Sequence, residues 1–384
     1  MQFIDLKSQY ALLKKKIDSN IHKVLDHGQY VMGPEVLEIE AKLAEFANAK
    51  HCISCSSGTD ALVMALMAHG IGKGDVVITT PFTFIATAEA IKFVGAKPLF
   101  VDIELDTFNL SPPLLQDALE TIASNQPTIH SKICNDINDV KAIISVDLFG
   151  LPADAKAINK IAEKYNLIVI EDAAQGFGGS IDGARAGSLA DIGCTSFFPA
   201  KPLGCYGDGG AIFTNNDEIA QVLRSVRVHG QGTDKYQNVR LGLTGRLDTI
   251  QAAVLLPKLE VFDTEIEQRQ NVADLYTSKL IDIEGITTPS VPKGYVSAWA
   301  QYTLMARDDE HRTQIINHLK SNDVPVAVYY PIPLHEQKVF EELGYGSSDF
   351  EISSNAANRV FSLPMHPYLK AEDIEHICKL IETM

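Results

Sequence analysis

The first fifty residues place apolar side chains at helical spacing. Apolar positions between Tyr10 and Leu25 recur about every 3.6 residues, and the pattern stops near Gly28. Gly33-Pro34 then opens a second helix, since proline at a first turn costs no hydrogen bond. The candidate buried positions of this second helix are Val36, Leu37, Ile39, Leu43 and Phe46.

From residue 51 to about 215, short apolar runs alternate with helical patterns. Several runs are apolar on both faces, which is typical of a parallel sheet covered by helices. The segment from about Ser124 to Val140 is polar, and we expect it to be a surface excursion. This alternation predicts a doubly wound α/β domain whose ligand site lies beyond the carboxyl ends of the strands. The predicted strands are Cys52–Cys55, Val76–Thr79, Pro98–Val101, Ala142–Val146, Leu167–Ile170, Cys194–Phe197 and Ala211–Thr214.

The last third of the chain has a different pattern. One long helical pattern runs from Asp248 to about Leu280, and a smaller α+β unit follows it. The prediction is a large α/β domain over residues 1–255 and a small α+β domain over residues 256–384. The smaller unit is predicted to contain strand Gln301–Ala306, helix Glu310–Ser321, strand Val326–Tyr329 and helix Ala371–Thr383.

Composition and charge exclude some classes of partner. The 384 residues are 46% hydrophobic and carry a formal net charge of −16, which argues against nucleic acid or an anionic membrane as the main partner. The chain has no apolar run of about 18 residues and no secretory leader at its start, so we expect a cytoplasmic protein. Six scattered cysteines fit reduced thiols, and the lone C-x-x-C at Cys52 and Cys55 has no partner pair, so no metal site is predicted.

Two of the loops that follow predicted strands could contact a bound anion or ring. Ser56-Ser57-Gly58-Thr59-Asp60 precedes an amphipathic helix, where small residues and free N–H groups attract phosphate. Strand–glycine–helix junctions are common, so a purely structural turn is the alternative. In Pro81-Phe82-Thr83-Phe84-Ile85-Ala86-Thr87 an aromatic side chain could stack on a flat cofactor, although aromatic residues more often belong to the core.

The other two loops contain a carboxylate and a lysine. Glu171-Asp172-Ala173-Ala174-Gln175 could present a carboxylate to a ring nitrogen, or could cap a helix or bind magnesium. Lys201 lies in a mostly apolar stretch rich in proline and glycine, Thr195 to Gly210, where a buried amine would have a lowered pKa and could attack an aldehyde. Ser196 could bond a phosphate oxygen. From the loop alone, a structural lysine is an equally good interpretation.

Together these motifs resemble the DegT/DnrJ/EryC1/StrS family of sugar aminotransferases, over essentially the whole chain. The matching segments are Gly33-Pro34, Ser57-Gly58-Thr59-Asp60-Ala61-Leu62, Thr83-Phe84, Glu171-Asp172-Ala173-Ala174-Gln175, Ser196-Phe197, Lys201, Gly209-Gly210, Gln251-Ala252-Ala253, Tyr330-Pro331 and Ser362-Leu363-Pro364. The resemblance implies an aspartate-aminotransferase-like fold (fold type I of the pyridoxal-phosphate enzymes), with a mostly parallel seven-stranded sheet in the large domain. It also implies pyridoxal 5′-phosphate as cofactor, with pyridoxamine 5′-phosphate as its intermediate form, and a homodimer with shared active sites.

The resemblance also implies residue roles. Lys201 would be the Schiff-base lysine and Asp172 the partner of the pyridinium nitrogen. The other cofactor-binding positions would be Gln175 by the phenolic oxygen, Phe84 on the ring, and Gly58, Thr59 and Ser196 at the phosphate. Two positions depart from the family pattern: Asp208 stands where Glu is usual, and Thr244 stands where Asn normally reaches the neighbouring subunit's cofactor phosphate.

The amino-acid sequence around Lys201 and from Gly245 to Ala253 most resembles that of one subgroup of the family. That subgroup aminates C3 of UDP-2-acetamido-2-deoxy-3-oxo-glucuronate for bacterial O-antigens, with L-glutamate as the expected donor. The substrate carboxylate calls for a cation, and Arg246 is the candidate because guanidinium binds carboxylate in a bidentate manner. An interface ion pair is the alternative for Arg246, and packing is the alternative for Tyr329 and Tyr330, which we expect to contact substrate.

Three other functions stay open at this point. The first is amination at C4 of a UDP- or dTDP-4-keto-6-deoxy sugar, which carries no carboxylate. A sugar dehydratase of the same fold would have His in place of Lys201. A non-catalytic regulatory module would not need Lys201, Asp172 and Gln175 together.

Overall fold

A computed structural model describes residues 1–234 and 236–384 of the chain. The strands are β1 His51–Cys55, β2 Val76–Thr79, β3 Lys97–Phe100, β4 Val140–Val146, β5 Ile168–Asp172, β6 Ser180–Ile181, β7 Ala184–Arg185, β8 Ile192–Ser196, β9 Gly210–Thr214, β10 Ile286–Thr287, β11 Tyr295–Val296, β12 Tyr302–Ala306 and β13 Val360–Leu363. The helices are α1 Leu6–His27, α2 Pro34–Ala47, α3 Gly58–Ala68, α4 Ala86–Phe93, α5 Pro112–Ala123, α6 Ala155–Lys164, α7 Asp217–Val226, α8 Thr249–Leu259, α9 Phe262–Leu280, α10 Asp309–Ser321, α11 Glu351–Arg359 and α12 Ala371–Glu382.

The seven predicted strands form one sheet in the order β1-β9-β8-β5-β4-β2-β3. The pairs β8/β5, β5/β4, β4/β2 and β2/β3 are parallel, whereas β9 runs antiparallel to both of its neighbours. The prediction of a mostly parallel seven-stranded sheet is therefore confirmed. Because β9 is reversed between them, β1 and β8 point the same way, and the carboxyl ends of β1, β8, β5, β4 and β2 meet at one edge.

Both faces of this sheet are buried, as the double apolar runs predict. Successive residues of a strand point to opposite faces. Accordingly Ile143 and Val169 belong to one buried cluster, while Ile144 and Ile170 belong to another. The strands are thereby fixed against helices on both sides, and the loops at their carboxyl ends start from rigid positions.

Two predicted elements near the start and middle of the chain are corrected. Leu37 is 63% exposed rather than buried, because α2 turns Val36, Ile39 and Leu43 inwards and Leu37 away. The segment Ser124 to Val140 is not wholly a surface excursion, since it contains two short 3₁₀ turns with Ile133 and Cys134 buried.

The long helix predicted from Asp248 to Leu280 is two helices, α8 and α9. Pro257 lies inside α8 and has no N–H to donate to the carbonyl of Ala253. That carbonyl instead accepts a hydrogen bond of 3.3 Å from Asn20 Nδ2 on α1. The helix ends within one turn of the proline, which explains the break.

A three-stranded antiparallel sheet, β10-β12-β13, forms beyond α9, with α10 and α12 among its neighbours. The predicted strand Val326–Tyr329 is wrong, because only Ala327 bridges to Ser362. Val328, Tyr329 and Tyr330 instead pack against a cluster that contains Phe82 and Phe149 of the larger unit. The division of the chain at residue 255 stays a prediction. No helix in the described residues is long and apolar enough to cross a membrane.

Candidate active site

Asp172 and Lys201 face each other across the carboxyl edge of the sheet. Asp172 ends β5 and is 6% exposed, and its carboxylate accepts hydrogen bonds from Thr87 Oγ1 at 2.8 Å and from the Ala174 N–H at 3.2 Å. Burial raises the pKa of Asp172, while these hydrogen bonds and the nearby charge of Lys201 act in the opposite direction. A cationic ring nitrogen beside this carboxylate would restore its ionised form.

Lys201 has the chemistry of a nucleophilic amine. Burial lowers the pKa of its ammonium, and the neighbouring charge of Asp172 only partly opposes this. Within the described residues its Nζ has no hydrogen-bond partner. A free amine is the form that attacks an aldehyde, so Lys201 is prepared for covalent chemistry.

The loop that carries Lys201 is closed on itself. The Phe197 N–H donates to the Gly209 carbonyl at 2.7 Å, the Lys201 N–H to the Phe198 carbonyl at 2.8 Å, and the Cys205 N–H to the Phe197 carbonyl at 2.8 Å. A Cβ atom on Gly204 would lie 2.6 Å from the carbonyl oxygen of Pro199, so this tight turn requires glycine. The loop therefore holds the lysine backbone in one place.

A candidate phosphate site lies where α3 begins. The Ser57 hydroxyl accepts from the Asp60 N–H at 3.0 Å, whereas the first N–H groups of the helix, Gly58 and Thr59, have no partner inside the helix. A Cβ atom on Gly58 would lie only 2.6 Å from the Cβ of Ser196. The structure thus brings Gly58, Thr59 and Ser196 together at a helix N-terminus, which is a ready anion site.

Aromatic and amide groups line the other side. Gln175 is buried, and its side chain donates to the Tyr330 hydroxyl at 3.2 Å and accepts from the Phe149 N–H at 2.8 Å. The Phe84 ring centroid lies 6.2 Å from that of Tyr330, and Phe84 remains 52% exposed. Phe84 therefore offers an open ring face on which a flat cofactor could stack.

The structure does not join every predicted site residue to this cluster. Thr244 is exposed and hydrogen-bonds His229 Nε2 at 2.7 Å. Arg246 is half-buried and makes no hydrogen bond or ion pair within the described residues. Tyr329 packs on Tyr330 and Phe3, with ring centroids 5.8 Å and 6.3 Å away.

Several residues in the surroundings were missed from the sequence. Thr87, which donates a hydrogen bond to Asp172, ends the segment Pro81 to Thr87 and lies about one helical turn beyond Phe84. Nothing in the sequence indicated that its hydroxyl would contact a carboxylate. Asp147 follows β4 as Asp172 ends β5, and its N–H donates to the Asp172 carbonyl at 3.1 Å, so the strand-end rule could have found it. Glu171 points away and accepts from the N–H groups of Gly187 and Leu189; burial raises its pKa to about 7.

These residues fit pyridoxal 5′-phosphate at three separate points. Lys201, whose Nζ has no hydrogen-bond partner in the described residues, suits its aldehyde. The buried Asp172 carboxylate suits its ring nitrogen, and the glycine–serine pair at a helix start suits its phosphate. A mostly parallel sheet with these groups at its carboxyl edge defines an α/β enzyme of lysine-dependent pyridoxal-phosphate chemistry.

Comparison with known proteins identifies the family. The DegT/DnrJ/EryC1/StrS aminotransferase family matches residues 12–382, so the chain belongs to that family. The UDP-2-acetamido-2-deoxy-3-oxo-D-glucuronate aminotransferase of Pseudomonas aeruginosa is 49% identical over 98% of each chain. A pleiotropic regulatory protein of Geobacillus stearothermophilus is 41% identical over 98% of this chain and 96% of its own.

Solved structures agree with this assignment. A DegT/DnrJ/EryC1/StrS aminotransferase from Brucella abortus superposes with a TM-score of 0.93 at 44% identity and covers 100% of this chain and 99% of its own. The NtdA protein of Bacillus subtilis, with bound pyridoxamine phosphate, has a TM-score of 0.84 at 29% identity and covers 98% and 83%. The predicted family, fold type, aminotransferase class and cofactor are confirmed.

Proposed function

We propose that this aminotransferase aminates C3 of UDP-2-acetamido-2-deoxy-3-oxo-D-glucuronate, with L-glutamate as the amino donor. The observation that carries the proposal is the 49% identity, over 98% of both chains, with the Pseudomonas aeruginosa enzyme of that name. The retained cluster of Lys201, Asp172 and Gln175 favours a catalyst over a regulatory module, even though one relative bears a regulatory name.

The chemistry needs a proton carrier and a fixed negative charge. Pyridoxal phosphate, when bound, supplies an electron sink for the carbanion at the substrate carbon. Lys201 Nζ would take the proton from one carbon and return it to another, because burial favours its uncharged amine and it has no hydrogen-bond partner in the described chain. Asp172, oriented by Thr87 and the Ala174 N–H, would hold the proton of the ring nitrogen.

The other proposed cofactor contacts are assigned from where the residues lie around Lys201 and Asp172. Gly58, Thr59 and Ser196 would bind the phosphate, and Phe84 would stack on the ring. The Gln175 side chain, already held by Phe149 and Tyr330, would stand beside the phenolic oxygen. Each of these groups is held by the backbone or by a neighbour, so the site would need little rearrangement when the cofactor binds.

A uronate substrate requires a cation, and Arg246 supplies a candidate. Its guanidinium is half-buried and not engaged by any carboxylate of the described chain, which supports a role toward a ligand or a second subunit. We infer a homodimer in which Thr244 and Arg246 face the partner's site, and in which Tyr329 and Tyr330 contact the substrate. The exposed positions of Thr244 and Tyr206 support such an interface.

The proposed cellular role is the supply of an amino-uronic acid for a bacterial surface polysaccharide such as an O-antigen. All six cysteines are free and buried, which supports a reducing compartment, the cytoplasm. Cys52 and Cys55 are buried in β1, and burial raises the pKa of both thiols, so a redox role for this pair is not proposed.

The test is product analysis with ¹⁵N-labelled glutamate. The enzyme is incubated separately with the 3-oxo-glucuronate and with UDP- and dTDP-4-keto-6-deoxy sugars, and products are analysed by mass spectrometry and NMR. We expect labelled nitrogen at C3 of the uronate. Labelling only at C4 of a 6-deoxy sugar would replace this function with the C4 alternative. Loss of a hydroxyl group next to the ketone as water, without labelling, would indicate a dehydratase.

A further inference from the structure

Lys258 is a buried lysine near the site, and its environment differs from that of Lys201, which is half-buried. Lys258 lies in the last turn of α8, and 1% of its surface is exposed. The ammonium donates a hydrogen bond of 2.6 Å to the carbonyl of Gly204, three residues after Lys201. It also lies 4.3 Å from the centre of the Tyr206 ring, within range of a cation–π contact.

Gln251 contacts the same loop from the same side of α8. It precedes Lys258 by seven residues, which is two helical turns and places both side chains on one face. Its Oε1 accepts from the Tyr206 N–H at 2.8 Å, and its Nε2 donates to the Tyr206 carbonyl at 3.3 Å. A Cβ atom on Gly207 would lie 2.8 Å from Gln251 Nε2, so glycine permits this close approach.

An ammonium group at this position is costly unless it does something that an apolar side chain could not. Leu255 and Leu256 on the same helix are buried and apolar, as packing alone requires. Burial lowers the pKa of Lys258 to about 8, and the charges of Glu265 and Cys205 only partly oppose this. What the lysine provides in return is a directional bond to one carbonyl of the loop that carries Lys201.

We propose that Lys258 and Gln251 are positioning residues that fix the segment Gly204 to Gly207 on α8 and thereby hold Lys201 opposite Asp172. The closed turn of the loop transmits the constraint, since the Cys205 N–H and the Lys201 N–H are bonded to Phe197 and Phe198 respectively. This inference rests on the proposed role of Lys201. It adds an outside support for that lysine that acts through the loop backbone and touches neither cofactor nor substrate.

The test compares Lys258→Met and Gln251→Leu with Val254→Ala in the cofactor-loaded enzyme. Val254 is buried on α8 in a cluster with Leu13 and Ile17 of α1, and its side chain has no group that could hydrogen-bond to the loop. Its truncation therefore destabilises the protein without removing a hydrogen bond to the loop. We expect Lys258→Met to lower kcat about tenfold or more with little change in KM, because small misplacement of a reacting group slows chemistry. The pH midpoint of the cofactor absorbance band should shift in both loop variants and remain at the wild-type value in Val254→Ala.

A conservative change and a second readout complete the design. Lys258→Arg keeps the charge and the donors and should recover part of kcat. If Lys258→Met does not fold, Gln251→Leu tests the same loop. The inference is overturned if both loop variants keep the wild-type midpoint and lose kcat only in proportion to their loss of Tm. If wild-type protein shows no cofactor band that Lys201→Ala removes, it is the proposed function that fails.

Discussion

The two halves of the candidate site are built differently. Asp172 and Ser196 end regular strands and Gly58 begins a helix, and Asp172 and Gln175 are almost wholly buried with hydrogen-bonded side chains. The substrate half, in contrast, comes from irregular segments. Arg246 is half-buried without a partner in the described chain, and Tyr329 and the following Tyr330 lie at the end of a stretch that failed to form its predicted strand.

The difference reflects what each half has to do. A cofactor that stays bound can be held by side chains whose positions are fixed before it binds. Rigid strand ends provide such side chains, so no conformational entropy is lost in ordering them. A substrate that enters and leaves needs an accessible surface, and loops provide one that can differ between enzymes of the same fold. We therefore expect changes in the cofactor half to abolish chemistry, and changes in the substrate half to alter selectivity.

The largest effect should come from Lys201→Ala. Removing the amine deletes both the covalent attachment of the cofactor and the proton carrier, so kcat should fall about 10⁴-fold or more. Steady-state kinetics measure the loss, and the visible absorbance band of the holoenzyme should disappear. Lys16→Ala is a matched control, because Lys16 is exposed and pairs with Glu260 on the surface. Retained activity in Lys201→Ala would contradict the expectation that changes in the cofactor half abolish chemistry.

Asp172→Asn should have the next largest effect. The amide keeps the shape and can still bond Thr87, but it cannot stabilise a protonated ring nitrogen, so kcat should fall roughly 10²- to 10³-fold. Stopped-flow kinetics of the glutamate half-reaction isolate this step. Asp182→Asn, at an exposed carboxylate paired with Lys156, should change nothing. Equal rates in wild type and Asp172→Asn would show that the buried carboxylate serves only the fold.

Arg246→Ala should separate substrates rather than stop chemistry. We expect kcat/KM for the uronate to fall about 10- to 100-fold through loss of a bidentate contact, while the glutamate half-reaction keeps its rate. Arg246→Lys should recover only part of the loss, because lysine lacks the planar pair of donors. Unchanged kcat/KM in the alanine variant would contradict the uronate assignment and favour a substrate without a carboxylate.

The smallest effect concerns pH and Lys258. Its folded-state pKa, about 8, lies below that of the unfolded chain, so the unfolded state binds more protons between these values. The stability of wild type relative to Lys258→Met should therefore rise with pH above about 8, by up to about 3 kcal/mol near pH 10.5. Denaturant unfolding of both proteins across this range tests the prediction. A flat difference would mean that the ammonium is not desolvated as the structure implies.

The sequence located Asp172 and Ser196 at strand ends but did not reveal how Tyr329 and Tyr330 pack, and the reason is physical. Strand-end motifs such as Asp172 and Ser196 follow apolar runs, whose two-sided burial makes the sheet, and thus the site edge, readable from periodicity. Tyr329 and Tyr330, by contrast, pack on Phe82 and Phe149, which are far away in the sequence. The apolar run before them suggested a strand and gave no indication of this contact. Thr87 and Lys258 were missed because a hydroxyl or a lysine inside a helix gives no sign of its partner.

The most direct measurement traps the cofactor on the protein. Borohydride reduction of the loaded enzyme converts the bond between cofactor and lysine into a stable amine, and peptide mass spectrometry then identifies the modified residue. The account predicts that the added mass lies on Lys201 alone. Lys258 is the informative alternative, since desolvation lowers the pKa of both lysines. Modification of Lys258, or of neither lysine, would contradict the central claim.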